Sequence, residues 1–171
     1  MLGDNNVVRL SGIHYESIAD AKGVSCVLFI SGCKHNCFQC HSPQTHDFNY
    51  GKVLDNAMID EINSEIDKRP FLNALVLSGG DPMYSAKELL PILDKLHIPN
   101  HTIWCYTGFA FEEICKNEQM KKLLQRCDYL VDGQFQANKR DITLPFRGSS
   151  NQRLIDVKKS LKENRVILYN P

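Results

Sequence analysis

The stretch Ser31-Gly-Cys-Lys-His-Asn-Cys-Phe-Gln-Cys-His41 places Cys33, Cys37 and Cys40 in a C-x3-C-x2-C spacing. Thiolates bind soft metals, and a closed structural zinc site takes four ligands, commonly as two separated pairs. Here the fourth would have to be His35 or His41, both too close in sequence for an easy tetrahedron. An iron-sulfur cube fits three thiolates from one short loop better, and it leaves one iron without a protein ligand and open to a substrate.

The elements around this loop are legible from apolar periodicity. Ser25–Ile30 is a short apolar run that reads as a buried strand, and the cysteines follow its carboxyl end. Asn56–Asp67 carries Met58, Ile59, Ile62 and Ile66 at helical spacing and stops before Pro70. Ala74–Leu77 is a second buried strand, entering Ser78-Gly-Gly-Asp-Pro82. Ser85–Lys95 is predicted helical, Thr102–Tyr106 a strand closing on Thr107-Gly108, Phe111–Gln125 a helix broken near Asn117, and Tyr129–Val131 a strand entering Asp132-Gly133. Arg153–Asp156 and Arg165–Tyr169 are expected as late strands. Strands alternating with helices predict an α/β fold with a mostly parallel sheet and function at the carboxyl ends of the strands. The units are too few for a closed eight-stranded barrel, which typically takes about 250 residues. The expected architecture is a partial (βα) barrel, open on one side, in a single domain over 1–171.

Composition narrows the class. In 171 residues, 20 basic side chains balance 20 acidic ones, so bulk charge gives no reason to expect nucleic acid binding. From Ala137 to the end, eight Lys or Arg outweigh Asp141, Asp156 and Glu163, making a basic third that is either a docking face or a solvated surface. The start has no run apolar enough for a signal peptide, and no stretch is long enough to span a membrane, so a cytoplasmic protein is expected. Seven cysteines in a reducing compartment suggest metal or redox chemistry rather than a disulfide framework. Cys26, Cys105, Cys115 and Cys127 lie in or beside apolar elements and read as small core residues.

The cysteine loop resembles that of the radical S-adenosylmethionine superfamily. That resemblance implies a 4Fe-4S cluster held by Cys33, Cys37 and Cys40, whose open iron chelates S-adenosylmethionine and reduces it to methionine and a 5′-deoxyadenosyl radical. Ser78, Gly79, Gly80 and Asp81 match the family's glycine loop for the methionine amino group. Tyr106-Thr-Gly-Phe109, Val131-Asp-Gly-Gln-Phe135 and Phe146-Arg-Gly-Ser-Ser-Asn-Gln-Arg153 look like the branch of activating enzymes whose protein substrate is the large subunit of an anaerobic ribonucleotide reductase. The implied reaction removes an α-hydrogen from a partner glycine and leaves a glycyl radical, with reduced flavodoxin or a ferredoxin-like protein as electron donor.

Further roles follow from the same resemblance. Thr107 contacts the adenosine or serves the fold. Asp132 binds a ribose hydroxyl or caps its strand. Arg147 and Arg153 bind a partner carboxylate or tie down their loop. The superfamily often has an aromatic residue before the third cysteine, where this chain has Gln39, so Phe38 or His41 is left to face the adenine while Gln39 and Cys40 contribute backbone. The rival readings are an activase of the pyruvate formate-lyase type, and a non-catalytic zinc or electron-transfer module.

Overall fold

The computed structural model describes residues 7–171. Residues 1–6, the start of the expected domain and of the segment read as lacking a signal peptide, lie outside the described residues.

The strands are β1 (Arg9–Ser17), β2 (Ser25–Ile30), β3 (Lys52–Val53), β4 (Ala74–Gly79), β5 (Ile103–Tyr106), β6 (Tyr129–Asp132) and β7 (Arg153–Asp156). The helices are α1 (Asn56–Asp67), α2 (Ala86–Leu93), α3 (Phe111–Ile114), α4 (Glu118–Leu124) and α5 (Val157–Glu163). They form one α/β structure around an open seven-stranded sheet of order β3-β1-β2-β4-β5-β6-β7. The expectation of a mostly parallel sheet needs correction. β2, β4, β5 and β6 run parallel, but β3, β1 and β7 join antiparallel, so the six pairings divide evenly. The antiparallel strands flank the parallel core, β3 and β1 on one side and β7 on the other.

The parallel core arises where apolar runs let strands be buried on both faces. β2 pairs with β4 in register from Ser25↔Ala74 to Ile30↔Gly79, so the cysteine loop and the glycine loop leave the sheet side by side. Asp55 caps α1 by accepting the Met58 amide at 2.9 Å, and Ile59, Ile62 and Ile66 face the core. Asn117 interrupts the third helical stretch for a clear reason: its side chain accepts the amides of Gln119 and Met120 and starts α4 afresh.

One face of the sheet packs against the helices, with Leu28, Leu75, Leu77, Cys105 and Leu130 buried. The other carries Val27, Val76, Trp104 and Val131, with Phe29 and Tyr106 packed beside them. There the expected strand Arg165–Tyr169 is reduced to a single bridge, Ile155↔Leu168. Tyr169 donates its amide to the Leu154 carbonyl and stacks 4.4 Å from the Tyr129 ring. β1 and α5 have weak sequence signals. β1 is irregular at two bulges, and α5 offers only two turns, capped by Asp156.

Gly79 is fixed by this packing. Its φ is +103°, and a Cβ there would lie 2.5 Å from both the nitrogen and the oxygen of Ile30. Gly79→Ala is therefore expected to lower the free energy of unfolding by about 2 kcal/mol or more. Gly12→Ala, whose Cβ would meet only the Phe29 ring at 3.8 Å, should change it by less than about 1 kcal/mol. Urea unfolding of both variants checks the contrast, and equal losses would contradict it.

Candidate functional site

Above the carboxyl ends of the parallel strands lies a cavity of about 460 Å³, within the ~300–1,000 Å³ of small-molecule sites. Cys33, Cys37 and Cys40 all line it, together with Gln39, His41, Ser78, Gly79, Gly80, Thr107 and Arg147. Ten of the residues singled out from sequence thus share one wall.

Main-chain bonds hold the cysteine loop. Gly32 donates to the Thr45 carbonyl at 2.7 Å and Cys33 to the His46 carbonyl at 3.3 Å. The β2–β4 ladder continues past the sheet as Gly80 N–H to Ile30 O and Asp81 N–H to Gly32 O. A Cβ on Gly80 would stand 2.7 Å from the carbonyl oxygens of Gly32 and Thr45. The two glycines are thus needed first to seat the glycine loop against the cysteine loop, whatever ligand lies beyond.

Asp81 is 1% exposed and does not line the cavity. Its Oδ1 accepts the Met83 amide at 2.9 Å, while Oδ2 accepts the Thr107 hydroxyl at 2.9 Å and the Gly108 amide at 2.8 Å. His35 Nε2 lies 2.8 Å from the same oxygen. Gln134 Nε2 is 3.1 Å from His35 Nδ1; with that amide donating, the imidazole carries its proton on Nε2, towards Asp81. His35, weighed above only as a fourth zinc ligand, therefore links the cysteine loop to the ends of β4 and β6. Its ring packs edge-on against Phe109, 4.6 Å away.

The thiols are half-buried. Burial pushes Cys33 up to about 11, opposed mainly by the His35 main-chain N–H. Burial also raises Cys37, opposed by the N–H of Phe135. Metal binding to these groups accordingly releases protons, and main-chain N–H groups already face two of the three sulfurs.

Several expectations fare differently. Asp132 is 1% exposed and absent from the cavity wall. Its carboxylate accepts the Phe111 amide at 2.7 Å and Arg153 Nε at 3.0 Å, which is the strand-capping role. Arg153 also grips Glu112 through both terminal nitrogens, at 2.8 and 3.1 Å, so it is committed within the chain. Phe38 is 77% exposed and does not line the cavity, whereas His41 does. The basic third is partly neutralised: Lys158 pairs with Asp128, Lys159 with Asp156 and Arg165 with Glu163. Sequence reasoning missed Asp20 and Tyr106 as cavity residues. Tyr106 donates its hydroxyl to the Asp20 carbonyl at 2.8 Å, and nothing in the turn before β2 signals that contact.

The sequence matches the family described as 4Fe-4S single cluster domain over residues 19–155. Curated relatives include the anaerobic ribonucleoside-triphosphate reductase-activating proteins of Haemophilus influenzae and Escherichia coli. Each is 34% identical over 140 residues, covering 79% of this chain and 89% and 90% of the relative respectively. The chain belongs to this family of activating proteins. A viral relative is represented too: the anaerobic ribonucleoside-triphosphate reductase-activating protein of Enterobacteria phage T4 is 33% identical over 136 residues, 77% of this chain and 83% of its own.

Two outcomes follow from the paired carboxylates of this family member. Asp81→Asn should lower stability by about 2–4 kcal/mol in urea unfolding, since it removes the charge that several donors share. Arg153→Gln should cost about 3 kcal/mol by leaving Asp132 buried without its cation. Arg153 holds the Glu112 carboxyl below its ordinary range. That contribution is present above the unfolded glutamate value and is lost as pH falls through the folded one. The wild type should therefore lose stability more steeply than Arg153→Gln across the acid limb; parallel limbs would contradict the assignment.

Proposed function

We propose that this chain is an iron-sulfur activase of the radical S-adenosylmethionine type, an oxidoreductase acting on the large subunit of an anaerobic ribonucleotide reductase. The observation that carries the reading is the convergence of Cys33, Cys37 and Cys40 on one cavity beside the Ser78–Gly80 turn, in a chain whose relatives are named for activating that reductase.

The donor set fits a 4Fe-4S cluster. Three thiols on one loop provide three corners, with main-chain N–H groups turned towards two of the sulfurs. When bound, the cluster supplies the electron that cleaves S-adenosylmethionine to methionine and a 5′-deoxyadenosyl radical, the species that takes hydrogen from a glycine of the partner.

The chain's own residues hold and shield this chemistry. Cys33, Cys37 and Cys40 ligate the cluster, and the peptide groups of Ser78, Gly79 and Gly80 receive the methionyl end of the cofactor. Gln39 and His41 form the wall next to the third cysteine, and because His41 lines the cavity where Phe38 does not, its ring is the one we assign to the adenine. Thr107 adds surface for the adenosine, since its hydroxyl is committed to Asp81 and to the Phe109 amide. The open sheet, with β2, β4, β5 and β6 parallel, supports the partial-barrel reading in a single domain. The cavity's open side is where a partner's glycine loop would enter and exclude water.

No helix among the described residues is long and apolar enough to cross a membrane. We place the protein in the cytoplasm, with reduced flavodoxin or a ferredoxin-like protein as electron donor.

Anaerobic reconstitution should load about four irons per chain. The reduced protein should form 5′-deoxyadenosine and methionine, and the reductase subunit added to it should give a glycyl radical signal in electron paramagnetic resonance. Alanine at Cys33, Cys37 or Cys40 should abolish cluster retention and cleavage, while alanine at Cys26, Cys105, Cys115 or Cys127 should preserve both. A fully loaded, reduced wild type that leaves S-adenosylmethionine intact would refute the proposal.

A further inference from the structure

Phe146–Arg153 is a clasp built onto the end of β6. Gln152 Oε1 accepts the amides of Gly148 and Ser149 at 2.9 and 3.1 Å, and its Nε2 donates to the Gly133 carbonyl at 3.0 Å. Asn151 Nδ2 donates to the Gln134 carbonyl at 2.8 Å, and Ser149 Oγ accepts the Gln136 amide at 3.2 Å. Arg153 closes on Asp132. The segment so gripped touches the cysteine loop through Gln134 on His35 and through the Phe135 N–H on the Cys37 sulfur.

Arg147 is the exception within this clasp. Its Nε is buried with no hydrogen-bond partner among the described residues, and the hydrogen bond that its Nη1 makes to the Gln152 carbonyl is long at 3.4 Å. No acidic side chain among the described residues pairs with it or with Arg140, and both line the cavity that holds the three cysteines. A guanidinium donor withdrawn from water without an acceptor is costly, and the cost is recovered when a ligand supplies the acceptor. The planar fork of arginine matches a carboxylate in a two-point contact.

We propose that Arg147 receives the carboxylate of the methionyl group of S-adenosylmethionine. The inference rests on reading the cavity as that cofactor's site. A carboxylate of the cofactor suits the position better than one on a protein partner. Arg147 is part-buried on the wall shared with the cysteines, whereas Ile142, which also lines the cavity, is 85% exposed. Arg153, the other arginine of the clasp, is already committed to Asp132 and Glu112 and takes no part.

The test measures binding rather than turnover. Wild type, Arg147→Gln and Arg147→Lys, each reconstituted and matched for iron content and circular dichroism, are titrated anaerobically by equilibrium dialysis. The ligands are S-adenosylmethionine, S-adenosylhomocysteine, which keeps the carboxylate, and 5′-methylthioadenosine, which lacks the amino-acid portion. Arg147→Gln should weaken the first two about tenfold to a hundredfold and the third by less than about twofold, with Arg147→Lys intermediate. Equal weakening of all three ligands would overturn the proposal by making Arg147 a general support of the loop. Unchanged affinities for all three would overturn it too, and weakened binding of the reductase subunit in that variant would assign Arg147 to the partner. If the loaded wild type binds no S-adenosylmethionine, the reading of the site fails first and the proposal falls with it.

Discussion

A single buried carboxylate sets the geometry on which the rest of this site depends. Asp81 lies at the end of β4, out of reach of water, and gathers donors from its own turn, from the end of β5 and from the cysteine loop after β2. Burying a carboxylate is expensive unless its lone pairs are filled, so the donors and the acid hold one another in place. Without that node the cysteine loop would keep its main-chain bonds and its contacts with Gln134 and Phe135 but lose its tie to the ends of β4 and β5. With it, three strand ends are fixed relative to each other, and the thiols face one cavity.

A second node stands beside the first. Asp132 at the end of β6 is held by Arg153 from β7 and by the first amide of α3. The antiparallel strand β7 thus serves the parallel core, bringing in the cation for a carboxylate that would otherwise be buried alone. The clasp between these strands then carries Gln134 back to His35, and His35 leads to Asp81. The polar groups form one chain running from β6 to β4, with the cysteine loop as its middle link. Gly108 fits the same scheme, because a Cβ there would lie 2.5 Å from the His35 ring.

How much of this was legible in the sequence depended on the range of the interactions. The strands β2, β4, β5 and β6 and the helix α1 are local patterns, and the apolar runs placed them to within a residue or two. The cysteine spacing and the Ser78–Asp81 turn are local as well, and the strand-then-loop order put them at one end of the sheet. The pairing of Asp132 with Arg153 crosses 21 residues, and only the register of β6 with β7 makes it. That left the ribose role for Asp132 open until its carboxylate was found filled. Asp20 lies far from every motif in sequence and reaches the cavity through the turn before β2, so spacing could not have found it. Of the antiparallel strands, Arg153–Asp156 was legible, whereas β3 is only two residues long and β1, with Leu10 its one buried residue, is broken by register shifts, so neither carries an alternation to read.

The account's central claim is that three cysteines of this loop leave one iron of a cube open to S-adenosylmethionine. The most direct measurement is pulsed electron-nuclear double resonance on the reduced, reconstituted protein with S-adenosylmethionine labelled with nitrogen-15 in the amino group and oxygen-17 in the carboxylate. Couplings from both labels to the cluster are predicted, as expected for a chelate at one iron. A fully loaded, reduced cluster showing neither coupling, with the cofactor present in excess, would contradict it.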